Sequence, residues 1–393
     1  MREVYLDNVA TTPLLPEVLE AMLPFLKENF GNPQSLHQWG DAPREAMEDA
    51  RRKVAALINA QPEEILFTAS GTESNNFAIK GLALAGQTKG KHVIVSAVEH
   101  FSVLYAARTL EKWGFEVTVI PVDKYGVVNI EKIKQSIRKD TILISVMHAN
   151  TEVGTIQPIK EITAITKAAG VPFHCDAVGT VGVLPVDVKD LGVDTLSLAG
   201  SEFYGPKGSG ALWVRRGVRV MPLLDGGTQE GGRRPGTENI PAIVGLGKAA
   251  ELAKAQLHQR FEHYQAMRDH LLQSLPARIE RSIVTGHPTQ RLPNNASFCI
   301  EFIEGESMLM LLSMQGVAAA SGSTCSSKAL KASHVLTAMG VPSEITQGSL
   351  LFTLGIQNTM EDIDYVLETL PPIVRRLRQM SPLYAKFIKG QRG

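Results

Sequence analysis

Three short stretches end in side chains suited to chemistry, each placed just after an apolar run. They are Phe67-Thr68-Ala69-Ser70-Gly71-Thr72-Glu73-Ser74-Asn75-Asn76, Glu99-His100, and His174-Cys175-Asp176-Ala177. Ser, Gly and Thr at a strand-to-helix turn leave N–H groups and hydroxyls facing outward, the makings of an anion site. The same turn can serve simply to cap a helix. A histidine that can stack on a ring and an aspartate that can hold a pyridinium proton are what pyridoxal phosphate requires. A fourth stretch, Ser321-Gly322-Ser323-Thr324-Cys325-Ser326-Ser327, surrounds one thiol with small polar residues. That is the flexible, accessible setting a reactive thiol needs. Cys299, in Ser297-Phe298-Cys299-Ile300, reads as core, and Cys175 as core or as a wall of the site. Three cysteines without C-x-x-C spacing exclude a self-contained zinc or disulfide framework.

The elements that must position these residues follow from the pattern. Ile65-Leu66-Phe67, His92-Val93-Ile94-Val95, Ile142-Leu143-Ile144-Ser145-Val146 and Val171-Pro172-Phe173-His174 are strand-like runs, nearly continuous in apolar residues. Such runs suit strands covered on both faces. Amphipathic stretches at Ile130–Arg138 and Ile159–Ala169 lie between them. The alternation predicts a mostly parallel sheet with helices on both sides, whose ligands bind beyond the strand carboxyl ends. The Gly-rich stretch 225–237 reads as a loop, and its Arg233 and Arg234 point to an anion or subunit contact as the alternative to a bland linker. A long helix over Ile240–Leu275 comes next. It precedes a smaller α+β region with strands at Ala296–Phe302 and Leu350–Leu354, a helix at Ser307–Gln315 and a final helix at Glu361–Arg378. Forty basic residues balance forty acidic ones, so nothing in bulk charge favours nucleic acid or an anionic membrane. No apolar run approaches the roughly 18 residues of a membrane span. The N-terminus, MREVYLDN, lacks a signal-type apolar stretch, which makes the cytoplasm the expected compartment.

Further motifs carry a resemblance. Tyr5-Leu6-Asp7-Asn8-Val9-Ala10-Thr11-Thr12-Pro13, Phe30-Gly31-Asn32-Pro33, Ser70-Gly71-Thr72-Glu73, Met147-His148-Ala149-Asn150, Tyr204-Gly205-Pro206-Lys207-Gly208 and Gly236-Thr237-Glu238-Asn239 join the Cys325 segment. With these, the chain resembles the cysteine desulfurases of the NifS/IscS kind, in the fold-type I, class V aminotransferase superfamily. The resemblance implies an α/β fold of the fold-type I PLP-transferase kind. A large domain with a mostly parallel sheet is expected over residues 16–260, and a smaller α+β domain over 1–15 and 261–393. It also implies a homodimer, in which Thr72, His100 and Asp176 contact the cofactor and Thr237 reaches it from the neighbouring subunit. Cys325 is the thiol that carries sulfur as persulfide in such enzymes. Ser381-Pro382-Leu383-Tyr384 is similar to the segment with which they contact an iron–sulfur scaffold protein.

The departures from the family pattern fall on the chemistry. Glu202 stands where the family has the lysine that forms the Schiff base, and a carboxylate cannot form an imine. Ser201 replaces the preceding histidine, and Ala199 a phosphate-binding serine. Gly179 replaces a glutamine on the cofactor oxygen, Thr151 an asparagine, and Leu351 the arginine that grips the substrate carboxylate. The resemblance with these changes implies no covalently bound cofactor and at most weak noncovalent binding of pyridoxal phosphate. Three roles stay open. In one, a desulfurase-like protein lends Cys325 as sulfur acceptor or as a metal ligand of a shared iron–sulfur cluster. In another, Glu202 serves as acid or base in a repurposed site. In the third, a residual desulfurase uses a substitute amine such as Lys207.

Overall fold

The computed structural model describes residues 2–322 and 332–391. After β1 (Val4–Tyr5), α1 (Pro16–Lys27) and α2 (Asp41–Leu57), strands and helices alternate. They run β2 (Ile65–Thr68), α3 (Gly71–Gly86), β3 (His92–Ser96), α4 (Phe101–Lys112), β4 (Glu116–Ile120), α5 (Ile130–Ser136), β5 (Thr141–Ser145), α6 (Ile159–Ala169), β6 (Phe173–Asp176), α7 (Val188–Leu191), β7 (Thr195–Ala199) and β8 (Gly210–Val214). The helix α8 (Ile240–Arg278) leads into β9 (Ser282–Val284), β10 (Asn295–Ile300), α9 (Gly305–Met314) and β11 (Val317–Ala318). Beyond residue 331 come α10 (His334–Ala338), α11 (Ser343–Thr346), β12 (Ser349–Thr353), α12 (Met360–Met380) and α13 (Pro382–Gln391).

The main sheet has seven strands in the order β2-β8-β7-β6-β5-β3-β4. Strands β7, β6, β5, β3 and β4 are parallel, and β8 runs antiparallel to both of its neighbours. Two reversals restore the direction, so β2 points the same way as β3, β5, β6 and β7. The carboxyl ends of all five therefore share one edge, which is where the chemistry-bearing residues fall. Alternate residues of each strand feed opposite faces. Ile65, Phe67, Ile94, Ile144 and Phe173 join the core under α2, α6 and α8, while Leu66, Val93, Val95 and Leu143 join the core under α3 and α4.

A third core gathers β10 and β12 with α9, α12, Val4 and Leu6. The long helix enters both regions, with Leu246, Ala249 and Ala253 in the first core and Tyr264, Leu271 and Leu275 in the other. Chain termini also meet there, since β1 pairs in parallel with β11 and Asp7 bridges to Thr353. Helix Glu361–Arg378 is not the last one: α12 is followed by α13, because Pro382 opens a new helix after Ser381 turns extended. Strands β4, β7, β8 and β9 add to those read from the apolar runs. Among the described residues, no helix is long and apolar enough to cross a membrane.

One side chain fastens the N-terminal segment to the edge of the main sheet. The Thr12 hydroxyl donates to the Ser201 carbonyl at 2.8 Å and accepts from the Tyr204 N–H at 2.7 Å. Tyr204 is buried with φ of 71°, a left-handed conformation that a non-glycine residue holds only when its surroundings impose it. We expect Thr12→Val to strand that buried N–H and to destabilise the fold by about 1–3 kcal/mol. Thr12→Ser should retain most of the stability. Urea unfolding with an unchanged m value is the measurement, and equal stability of Thr12→Val and the parent would show that the clamp contributes nothing.

Candidate active site at the strand carboxyl ends

Helix α3 starts at Ser70, whose side chain accepts from the Glu73 N–H, and Thr72 lies exposed in its first turn. His100 caps α4 directly after β3, its ring accepting from the Ser102 N–H at 3.1 Å. Asp176 is the last residue of β6 and is buried. It accepts from Asn75 Nδ2 at 2.7 Å and from the Val178 N–H at 3.0 Å. Asn75 also donates to the Ser102 hydroxyl, which lies 2.7 Å from His100 Nδ1. Thus Asp176 and His100, far apart in sequence, belong to one hydrogen-bonded group. Burial raises the Asp176 carboxyl above the ordinary range, against the opposing pull of His100, Val178 and Asn75.

Beside this group lies a small polar cavity of about 20 Å³, room for one water. Asn8, Thr12, Thr151, Gly179, Glu202, Tyr204, Asn294 and Thr353 are among its walls. Glu202 occupies the short turn after β7 and keeps partial solvent access. Burial lifts its carboxyl to about 8, opposed by a 3.3 Å hydrogen bond from Ser201 and reinforced by the Asp176 charge. Two further acids close by are also raised to about 7 by burial, Glu99 under His100 and Glu152 beside Thr151. Glu99 accepts from the Ser96 hydroxyl and the Met147 N–H, whereas Glu152 Oε1 is buried with no partner among the described residues.

The walls of the cavity interlock. A Cβ added to Gly179 would collide with Thr151 Cγ2, so the threonine methyl fills the space that any side chain at 179 would need. No lysine lines the cavity among the described residues. Lys207 is not among the lining residues; it donates to the carbonyl of Thr12, itself a wall residue, at 3.1 Å, and its side chain is largely exposed.

Both the sequence and the fold are similar to those of known proteins. The family described as aminotransferase class-V matches residues 4–366. A cysteine desulfurase IscS of Methanosarcina thermophila is 54% identical over 385 residues, 98% of this chain and 95% of the relative. A protein of Dictyoglomus turgidum with the same name is 52% identical over 381 residues, 97% of either chain. The solved structure of a NifS-like protein superposes with a TM-score of 0.90 at 38% identity, covering 96% of this chain and 100% of that one. The chain belongs to the class-V aminotransferase family, in its IscS/NifS branch.

Within this family member, Thr72, His100 and Asp176 end up on the same sheet edge. Among the described residues no hydrogen bond ties Thr237 to any of them; it sits exposed in the loop before α8. That loop is held to its own chain by Arg234 on Glu73 at 2.9 Å and by Glu230, which pairs with Arg51 at 2.7 Å and accepts from the Phe67 N–H. Cys325, as thiol or as metal ligand, lies outside the described residues. Cys175 and Cys299 are both buried core thiols raised by burial, Cys299 to about 12. The sequence reading quoted Asn75, Thr12 and Glu99 within its motifs without giving them a role, and missed Ser102 and Glu152. Asn75 stood in the quoted turn motif, and a helical step of four residues from Gly71 was the available signal for its inward face.

These acids set a sign for pH dependence. A folded-state value of about 8 for Glu202, against 4.5 for an ordinary glutamate, means that the folded chain keeps a proton the unfolded chain has lost. Stability therefore falls as pH rises between those values, by up to about 1.4 kcal/mol per unit for one proton. Buried His148 and His174, lowered to about 4 and about 3, act oppositely, but only below 6.5. Between roughly pH 7 and 8, where Glu99 and Glu152 pass from half to mostly titrated, we expect Glu202→Gln to reduce the slope of unfolding free energy. Parallel slopes for variant and parent in urea titrations would remove Glu202 as its source.

Proposed function

We propose that this protein acts in sulfur transfer for iron–sulfur cluster assembly, without a lysine-bound cofactor. In this reading it is a cytoplasmic homodimer docked on a scaffold protein, with Cys325 as sulfur acceptor or as a ligand of a shared cluster. Relatives named cysteine desulfurase, 54% and 52% identical over nearly the whole chain, support the sulfur-handling part. The observation that carries the rest is Glu202 in the cavity after β7, with the motif lysine Lys207 engaged by the Thr12 carbonyl and not among the lining residues. Thr72, His100 and Asp176 fit the noncovalent half of pyridoxal phosphate, an anion site at a helix start and a carboxylate for a ring nitrogen. Thr237, contributed across the dimer, would complete that set. When bound, the cofactor supplies an electron sink; the amine that would tether it is lacking.

Soft thiolates are the usual ligands of iron–sulfur centres, so a scaffold with three cysteines would leave one iron position for Cys325. The division into a unit of 16–260 and a unit of 1–15 with 261–393 belongs to the same proposal and is supported by the separate apolar cores. A second reading, Glu202 as acid or base in new chemistry, is favoured by a carboxyl held near 8 beside a cavity.

Borohydride treatment in the presence of pyridoxal phosphate, followed by intact mass, should yield no adduct at Lys207. Glu202→Lys alone should remain at least about a hundredfold below a working desulfurase, because Gly179, Ser201 and Leu351 leave cofactor and substrate poorly positioned. Near-full activity from that single change would show the other departures to be harmless. The function itself is tested by anaerobic reconstitution with iron and sulfide beside the scaffold protein encoded with it. Cys325→Ser should weaken or alter the cluster spectrum and leave the dimer intact; an unchanged cluster gives the lead to the second reading.

A further inference from the structure

Asn75 and Ser102 lie buried behind the candidate site, and the direction of every hydrogen bond between them and their neighbours can be derived. The Ser102 backbone N–H can only donate, and it points at His100 Nδ1 from 3.1 Å. His100 Nδ1 therefore carries a lone pair. The Ser102 hydroxyl, 2.7 Å from the same nitrogen, receives an N–H from Asn75 at 2.8 Å and is left with its own hydrogen to give to Nδ1.

The orientation of the Asn75 amide is set from two sides. Its nitrogen faces Asp176 Oδ2 at 2.7 Å, and its oxygen faces His174 Nε2 at 3.1 Å. His174 is fully buried, with Nδ1 2.9 Å from the Thr195 hydroxyl. Taking the Asp176 carboxylate as acceptor fixes one set of directions, with the His174 ring lying against the Thr195 backbone as well. Thr195 donates to His174, His174 to Asn75, Asn75 to both Asp176 and Ser102, and Ser102 to His100. Asn75 thereby uses both amide hydrogens and its oxygen, leaving no freedom to turn over.

We infer that Asn75 and Ser102 are positioning residues that hold His100 in the tautomer with its hydrogen on Nε2. His100 then carries its ring hydrogen on Nε2, and Asp176 and His100 are oriented by one shared amide. This role rests on the reading of Thr72, His100 and Asp176 as a ligand site.

The test is a two-bond proton–nitrogen correlation spectrum of protein labelled with ¹⁵N-histidine, recorded above the titration of exposed histidines, with His100→Gln identifying the resonances. The unmodified chain should show the Nε2–H form alone. Ser102→Ala should move the His100 Nδ1 resonance downfield, as a nitrogen that has lost a donor, and Ser102→Thr should bring it back. Asn75→Ala should move it too, and the double variant should fall short of the sum of the two singles. An Nδ1–H form in the unmodified protein, or an Nδ1 resonance unmoved by Ser102→Ala, overturns the inference. Should Ser102→Ala fail to fold, the spectrum of the unmodified chain still decides the tautomer. All spectra are taken without ligand. A failure to bind pyridoxal phosphate would thus count against the proposed ligand site and not against the relay.

Discussion

A carboxylate at the buried end of a central strand must be satisfied where it stands, and much of the site follows from how Asp176 is satisfied. Leaving such a group unpaired costs far more than a surface charge does. The Asn75 amide, one turn into α3, meets that requirement and ties the start of α3 to the end of β6. Its second hydrogen goes to Ser102, so the first turn of α4 is joined to the same point. Helix starts after β2 and β3 are thus fixed relative to β6 by polar contacts that have no slack. Beneath them, the neutral imidazole of His174 closes the arrangement, its charge disfavoured by complete burial.

The turn after β7 places an acid at the sheet edge without disturbing the local fold. Glu202 brings an acid to a cavity walled by Tyr204 and by Asn8, Val9 and Thr12 of the N-terminal segment, within reach of the Asp176 charge. Its burial is tolerated by retaining the proton, which is less costly than sequestering an anion beside another acid. The backbone of the turn is unaffected, because Thr12 satisfies it from another segment and Tyr204 keeps its left-handed conformation. Thr151 and Gly179 fit as a pair, the methyl of one occupying the space a side chain at the other would take. Close packing makes such neighbours interdependent.

Much was legible in the residues themselves. Near-continuous apolar runs marked β2, β3, β5 and β6 as strands covered on both faces, and the helical period marked α5, α6 and α8. Strand β4 was harder, since its residues are largely exposed at the sheet edge and lack a continuous apolar run. Helix α13 was missed although Ser381-Pro382 is a local start signal; it is held by rings of Tyr384 and Phe387 packed on Phe302.

What the sequence determined alone was the type of each group: a carboxylate at 202 cannot act as an amine, and no tertiary context changes that. It also determined that Thr72, His100 and Asp176 follow strands, because period and turn chemistry are local properties. Only the tertiary structure decided which of these groups touch. That Asn75 binds Asp176 and Ser102 together, that Lys207 donates to Thr12, and that the Thr151 methyl occupies the space beside Gly179 all depend on contacts between segments tens to hundreds of residues apart. Protonation belongs to the same class, for Glu99, Glu152 and Glu202 are ordinary acids in the chain and become weak ones only when the fold removes their water.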